Sequence, residues 1–558
     1  MAFQDDVVVV QERLLPMPDE KKKKVEEEEE DIISKAIGEF GRWQLLHTFL
    51  LSLFNIPCTW HIFAPTFFSI KRNYWCSQPS EFSDVPVSVW LNCTQSSDSC
   101  LTIDLANVNR DDIYSCNLDE LQMQPCHKWD FQGPGETIIS EFDLLCDRKS
   151  LINLAEMTFL AGVAFGGLIC GIMSDKFGRK KTLMFSVLIQ TLVGTAIAFA
   201  PWFELYFILR AALGFISVSV VFSGFVLSIE LVGGHWRTVA GISYLFPVSI
   251  SYMTIAGVAY LIQDWRQLQL AISLPGFIFV VLWWVLPESP RWLLAMGRTH
   301  EVMRILEGAA KMNQRDLPQN LDKQLLPSTI DVNEPEPNVG VLDLFKTPSM
   351  CKRTMILFLI WFSVYLVYYG LTLNMQNIGG NLYINSALMG AVEIPAIAVS
   401  ILILIKGGRR WPLALTMIVS GVCIFTIPID MYASPNLQWL STTLTLNSKL
   451  CISSSNAIMP VYTAELYPTT IRNIGVGAAN VSAGIALILV PYLWELATFF
   501  PGLPMLLIAL FGIVGGASVL FLPETGSAPL VDTIKGDEEV PTVRNSDPNE
   551  TKRINNNC

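Results

Sequence analysis

The chain has 558 residues, 51% of them hydrophobic and only 16% charged, against roughly 25% charged in an ordinary soluble protein. That argues against a soluble domain and for a polytopic membrane protein, because a dozen spans of about 20 residues would take up the apolar surplus. The net charge of −12 is concentrated in residues 1–42 (seven basic, twelve acidic) and 69–149 (six basic, thirteen acidic), so there is no basic stripe and nucleic acid is excluded as a partner.

Residues 1–43 are read as a solvated cytoplasmic tail, in which Lys21 to Lys24 abut Glu26 to Glu30 and no secretory signal pattern occurs. Apolar stretches follow at about 44–68, 150–172, 182–201, 203–229, 238–262, 267–286, 353–374, 385–405, 411–431, 440–464, 470–494 and 501–522, which makes twelve predicted spans. The stretch at 440–464 is diluted by Thr442, Thr443, Thr445, Asn447, Ser448 and Lys449, and is expected to face an internal cavity. Lys and Arg crowd the second-to-third and eighth-to-ninth connections and the start of the 287–352 loop, placing that loop and both termini in the cytoplasm and 69–149 outside. The outer segment carries Cys76, Cys93, Cys100, Cys116, Cys126 and Cys146 and the sequon Asn92-Cys93-Thr94. Three disulfides of undetermined pairing and a glycan on Asn92 are expected there. The domain division that follows is a tail (1–43), a first bundle (44–286), an inter-bundle loop (287–352) with a short helix near Glu301 to Ala310, a second bundle (353–522) and a tail (523–558). No phosphate-binding loop, nucleophile triad or metal spacing is visible, so neither enzyme activity nor a cofactor nor a metal is expected.

Three patterns recur in the same order about 235 residues apart. Glu230-x6-Arg237 returns as Glu465-x6-Arg472, Leu286-Pro-Glu288-Ser as Leu522-Pro-Glu524-Thr, and Gly178-Arg179-Lys180 as Gly408-Arg409-Arg410. Two six-span halves are the signature of a transporter whose bundles rock about a midplane site. Asp175, Arg179, Glu230, Arg237, Glu288, Arg291, Glu465, Arg472 and Glu524 are accordingly predicted to be gating charges, made and broken where the two halves meet at the inner face.

With these residues assembled, the chain resembles the major facilitator superfamily, and within it the organic cation, carnitine and organic anion transporter family. Gly171-Ile-Met-Ser-Asp175-Lys-Phe-Gly178-Arg179-Lys180 is similar to the superfamily's second-to-third-loop motif. The cysteine-rich loop closed by Glu141-Phe-Asp-Leu-Leu-Cys146 and the run Glu465-Leu-Tyr-Pro-Thr-Thr-Ile-Arg472 resemble the organic ion family specifically. The resemblance covers about residues 38–535 and implies an all-α membrane protein with twelve transmembrane helices in two pseudo-symmetric six-helix bundles and a cysteine-rich extracellular loop. It also implies a plasma-membrane glycoprotein that works as a monomer on small organic ions. Two departures from the family pattern matter most. Ile405 stands where the eighth-to-ninth loop usually has Asp, and Gly484 stands where the eleventh span commonly carries a charge that reads the substrate.

Ionisable groups inside spans are the leading site candidates, since each costs about 2.5–3.5 kcal/mol or more at mid-bilayer. Glu156, where the family usually has Gln, and Glu393 offer negative charge to an amine, or a place for a coupling H+ or Na+. Trp361, Tyr368, Tyr244 and Asn456 are placed on the cavity face by resemblance, where aromatic rings could cage a cation. Asn55 and His61 are polar residues out of place in lipid, and Lys449 could hold a carboxylate. The function expected is transport of small organic cations or zwitterions, such as amines and carnitine-like betaines, by alternating access. The alternatives are organic anion transport or a transport-inactive sensor.

Overall fold

Lipid satisfies no backbone hydrogen bond, so a chain crosses it as helix or as closed barrel, and each of the twelve apolar stretches is helical in the computed structural model. It describes residues 32–94, 100–104, 113–114, 123–234, 236–318, 321, 341–373, 375, 380–406, 408–433, 438–468 and 471–525. A short helix α1 (Ile32–Ile37) precedes the first span, which is broken into α2 (Arg42–Ser52) and α3 (Asn55–Phe68). The loop that follows contains strands β1 (Tyr74–Cys76), β2 (Leu101–Ile103), β3 (Met123–Pro125) and β4 (Trp129–Phe131) and helices α4 (Val87–Thr94) and α5 (Ile138–Glu141). Spans two to four are α6 (Ser150–Phe177), α7 (Arg179–Ile197) and α8 (Phe203–Glu230). The fifth span is α9 (Trp236–Ser243) plus α10 (Phe246–Leu261), and the sixth is α11 (Trp265–Ser273) plus α12 (Gly276–Val281). Two helices, α13 (Pro290–Ala295) and α14 (Thr299–Asn313), lie between the halves in sequence. The second half is α15 (Pro348–Thr372), α16 (Leu382–Lys406), α17 (Arg410–Ala433), α18 (Gln438–Leu466), α19 (Arg472–Leu493) and α20 (Leu503–Val519). Among the described residues, eight segments are long and apolar enough to cross a membrane by length and composition alone. The broken first span, α7 with Arg179, Lys180 and Lys181 in its first turn, the Ser/Thr-rich α18 and the 17-residue α20 fall short of that measure.

Within the first half α6 and α7 pack on α8, and within the second α17 packs on α18 and α20. The halves meet along two seams, α6 against α19 and α10 against α16. In the loop, β1 pairs with β4 and β2 with β3, both antiparallel, around a small core of Phe82, Val85, Trp90 and Ile113. Cys76 is bonded to Cys126 and Cys100 to Cys146. Cys93 is disulfide-bonded as well, while Cys116 lies outside the described residues, as do Lys21 to Lys24 and Glu26 to Glu30. Asn92 is exposed on α4.

Two clamps fix these peripheral pieces to the first half. Glu141, at the end of α5, accepts from the Trp265 indole at 2.6 Å and pairs with Arg266, whose guanidinium also donates to the carbonyls of Ala198 and Ala200 at 2.6 Å. At the other end of the bundle Asn313 closes α14 onto the N-terminal segment. Its Oδ1 accepts from the Trp43 amide at 2.9 Å, and its Nδ2 donates to the Ile37 carbonyl at 3.0 Å and to Gln44 at 2.9 Å. Ile33, Ala36 and Ile37 of α1 are buried in the same cluster as Val302, Leu306 and Ala310 of α14.

Candidate functional site

The residue types that lipid tolerates least converge at mid-depth of the second half. Lys449 of α18 is completely buried, with its ammonium 3.9 Å from the Glu393 carboxylate of α16. The ammonium lies 3.3 Å from the centre of the Tyr368 ring and donates to the Thr372 hydroxyl at 3.1 Å, both on α15. Tyr368 in turn donates to Glu393 at 2.7 Å. A second ring, Tyr252 of α10, stands 5.1 Å from the ammonium and comes from the first half. The Lys449 charge is therefore stabilised by a carboxylate, a hydroxyl and two ring faces, which together replace the water it lost. This is a cation seat already filled by a cation of the protein, and it bridges the two halves.

Glu156 belongs to a different place. It is half-buried, two turns into α6 in the first half, and the charge acting on it is the guanidinium of Arg210 on α8. Arg210 is fully buried, stacks over Phe159 at 4.3 Å and donates to the His61 carbonyl at 3.2 Å, while its Nη2 has no hydrogen-bond partner. Each half thus holds a carboxylate and a base within the membrane-spanning region.

Most of the remaining expected site residues serve the packing of one half. Asn55 donates to the Tyr244 carbonyl at 2.8 Å, and the Tyr244 hydroxyl donates to the Val221 carbonyl at 3.2 Å, so both tie the first half together. His61 is buried against Gly194 inside that half. Trp361 does not join the cage: its indole donates to Thr463 at 2.9 Å and its ring stacks on Tyr365, inside the second half. Asn456 keeps part of its surface open two turns along α18 from Lys449. Gly484 is buried where α19 crosses α6, and a Cβ there would meet the Ala164 Cβ at 2.8 Å, so the position serves a helix crossing and not the cage. Tyr252, Thr372 and Arg210 were not singled out in the sequence. Arg210 is itself an ionisable group within a predicted span, so the rule that selected Glu156 and Glu393 also applied to it.

In this structure the ion pairs of the repeated charges lie within each half. Arg179 binds Asp175 at 2.9 Å and Glu230 at 3.1 Å, and its counterpart Arg409 binds Glu465 at 3.2 Å. The position equivalent to Asp175, four residues before Arg409, is Ile405. Neither glutamate pairs with the arginine seven residues on: Arg237 donates to the Val232 carbonyl at 3.1 Å, and Nε and Nη2 of Arg472 have no hydrogen-bond partner. Arg291 donates to the Glu230 carbonyl at 2.9 Å. Glu288 accepts from the Lys180 amide at 2.9 Å, and Glu524 from the amides of Arg409 at 2.6 Å and Arg410 at 3.2 Å, so each carboxylate sits at the positive N-terminal end of a helix, α7 and α17. Gly178 and Gly408 make room for this, since a Cβ on either would lie 2.6 Å from the glutamate Oε2.

Known proteins resemble this chain in sequence and in fold. Residues 115–533 match the family described as "Sugar (and other) transporter". The chain is 33% identical to a Drosophila melanogaster "Organic cation transporter protein", covering 91% of this chain and 94% of that protein. It is 34% identical to human "Solute carrier family 22 member 13" over 92% and 94%, and 31% identical to rabbit (Oryctolagus cuniculus) "Organic anion transporter 3" over 90% and 92%. The fold is similar to that of the xylose transporter XylE from E. coli in a partially occluded inward open conformation, with a TM-score of 0.56 at 15% identity, covering 88% of this chain and 100% of that one. The twelve helical segments and their internal repeat are thus those of a multi-pass membrane transporter with the major facilitator fold, and the chain belongs to the solute carrier family of organic cation and anion transporters.

Proposed function

We propose that the chain carries small organic zwitterions and cations, amines and carnitine-like betaines among them, and leaves them chemically unchanged. The supporting observation is that Glu393 already has Lys449 as its counter-ion. A simple cation entering that seat must displace a tethered ammonium and leave it unpaired, which a buried charge resists. A betaine offers both signs, so its carboxylate can engage Lys449 while its ammonium takes Glu393, or Glu156 on the facing half. Glu156, Glu393, Lys449, Tyr368 and Tyr252 are the proposed contacts, and alternating access by one protomer is the proposed mechanism. In this reading the loop at 69–149 is extracellular, with disulfides and a glycan on Asn92, and both termini are cytoplasmic in the plasma membrane.

The second reading, organic anion transport, is favoured by Arg210, whose buried Nη2 has no hydrogen-bond partner. The test is uptake of a quaternary ammonium, a betaine with the same head group and the matching carboxylic acid, with potential and pH clamped separately. Betaine uptake should exceed that of the other two and fall about tenfold or more in Lys449→Gln. Uptake of the acid alone would replace the zwitterion reading with the anion one. No uptake of any of the three would support a sensor. Dependence on a pH or Na+ gradient would identify a coupling ion, and dependence on potential alone would identify a uniporter.

A further inference from the structure

At the end that carries the cysteine-rich loop, described residues of the two halves touch on both seams. On the first seam Tyr383, in the first turn of α16, stacks on Phe67 of α3 at 5.9 Å and meets Tyr260 of α10 edge-on at 5.5 Å. One layer deeper, Phe63 of α3 stacks on Tyr369 of α15 at 6.3 Å. On the second seam Asn153, in the first turn of α6, donates to the Glu495 carboxylate at 2.7 Å, just past the end of α19. Each contact has one partner in each half. Both lie above the cage: Tyr383 precedes Glu393 by ten residues of one helix, about 15 Å along its axis.

The geometry points to an outer gate held by these two contacts, in which Tyr383 is the aromatic keystone and the Asn153–Glu495 hydrogen bond is a polar latch. Both must open before a substrate outside can reach the cage. Rocking separates the halves at one end while closing them at the other, so every contact made only in the closed-outside state biases the carrier towards facing in. The aromatic contact has the larger share, because three rings are packed there, whereas an exposed hydrogen bond exchanges readily with water. The inference depends on alternating access and is independent of which ion is carried.

Ser386 lies one turn below Tyr383 on α16 and is fully buried, which makes Ser386→Cys a reporter of gate opening. Whole cells expressing it are treated with a membrane-impermeant maleimide, and the labelled position is identified by mass spectrometry. Adding Tyr383→Ala should speed labelling at position 386 about tenfold, and adding Glu495→Ala should speed it about threefold. Tyr383→Phe keeps the ring and should leave the rate unchanged. Cys58, buried in the first half beside Gln190, should stay unlabelled throughout. Equal rates in Tyr383→Ala and its parent overturn the gate, as does a Tyr383→Phe rate matching Tyr383→Ala. Labelling of Cys58 together with position 386 also overturns it, because the rise in rate then reports unfolding. A wrong assignment of the carried ion would alter uptake and leave these labelling rates as they are.

Discussion

Lys449 and Glu393 show how a membrane domain holds charges that lipid would reject. Removing one member of a buried pair leaves the other uncompensated, at a cost of about 3–5 kcal/mol, whereas removing both can be nearly neutral. Lys449→Gln and Glu393→Gln should therefore each lower the amount of folded protein at the cell surface, and the double substitution Lys449→Met with Glu393→Gln should recover it. Surface biotinylation checks this, and a double variant as depleted as the sum of the singles would show that the two charges are independent. Both residues were legible in the sequence, because an ionisable group inside a span is conspicuous, and Tyr368 was placed on the cavity face by family resemblance. Trp361 and Tyr244 came from the same resemblance, and Asn55 and His61 from their polarity, yet the first three place their polar atoms on partners inside one half, and His61 packs inside the first half. Polarity within a span marks a group that needs a partner; it does not say whether that partner is a neighbouring helix or a ligand. Tyr252 went unremarked because nothing local separates it from any other buried aromatic.

At the scale of elements, hydropathy marks where spans run and is blind to where they break. The interruption of the first span around Leu53 and Phe54 places Asn55 at the start of α3, where its side chain reaches the junction between α9 and α10. The helix near Glu301 to Ala310 is legible from its composition and forms α14, but its docking on α1 and α2 adds to the apolar contacts one asparagine whose amide serves three partners. Asn313→Ala should release that contact and cost about 2 kcal/mol in local stability, from two or three lost hydrogen bonds in a part-buried site. Hydrogen exchange should then quicken at residues 32–44 and 299–313 while α6 to α8 stay protected. Uniform acceleration would show that Asn313 supports the whole half and not the docking alone. The repeated glutamates follow the same lesson. Their spacing was visible, but the partner of each was not the arginine beside it in the motif but the one that folding brings near, Arg179 for Glu230 and Arg409 for Glu465.

For the whole molecule, the two seams set what the halves can accommodate. Family resemblance suggests that a charge at Gly484 would restore substrate reading, but the structure places that position against Ala164. Gly484→Asp should therefore reduce transport by wedging α6 from α19, and Ala164→Gly should partly relieve it. Uptake by the single and double variants checks this, and a Gly484→Asp that transports as well as the parent would mean that the seam has slack.

The pairing of charges inside each half has an electrical consequence. Arg409 with Glu465 and Lys449 with Glu393 each travel as a neutral unit when the halves tilt. A displaced charge contributes about 2.3 kcal/mol per elementary charge per 100 mV of potential, but a dipole that moves as one body contributes far less. The empty carrier should therefore turn over almost independently of voltage. The current measured per molecule delivered would then count only the charge of the substrate and of any ion travelling with it.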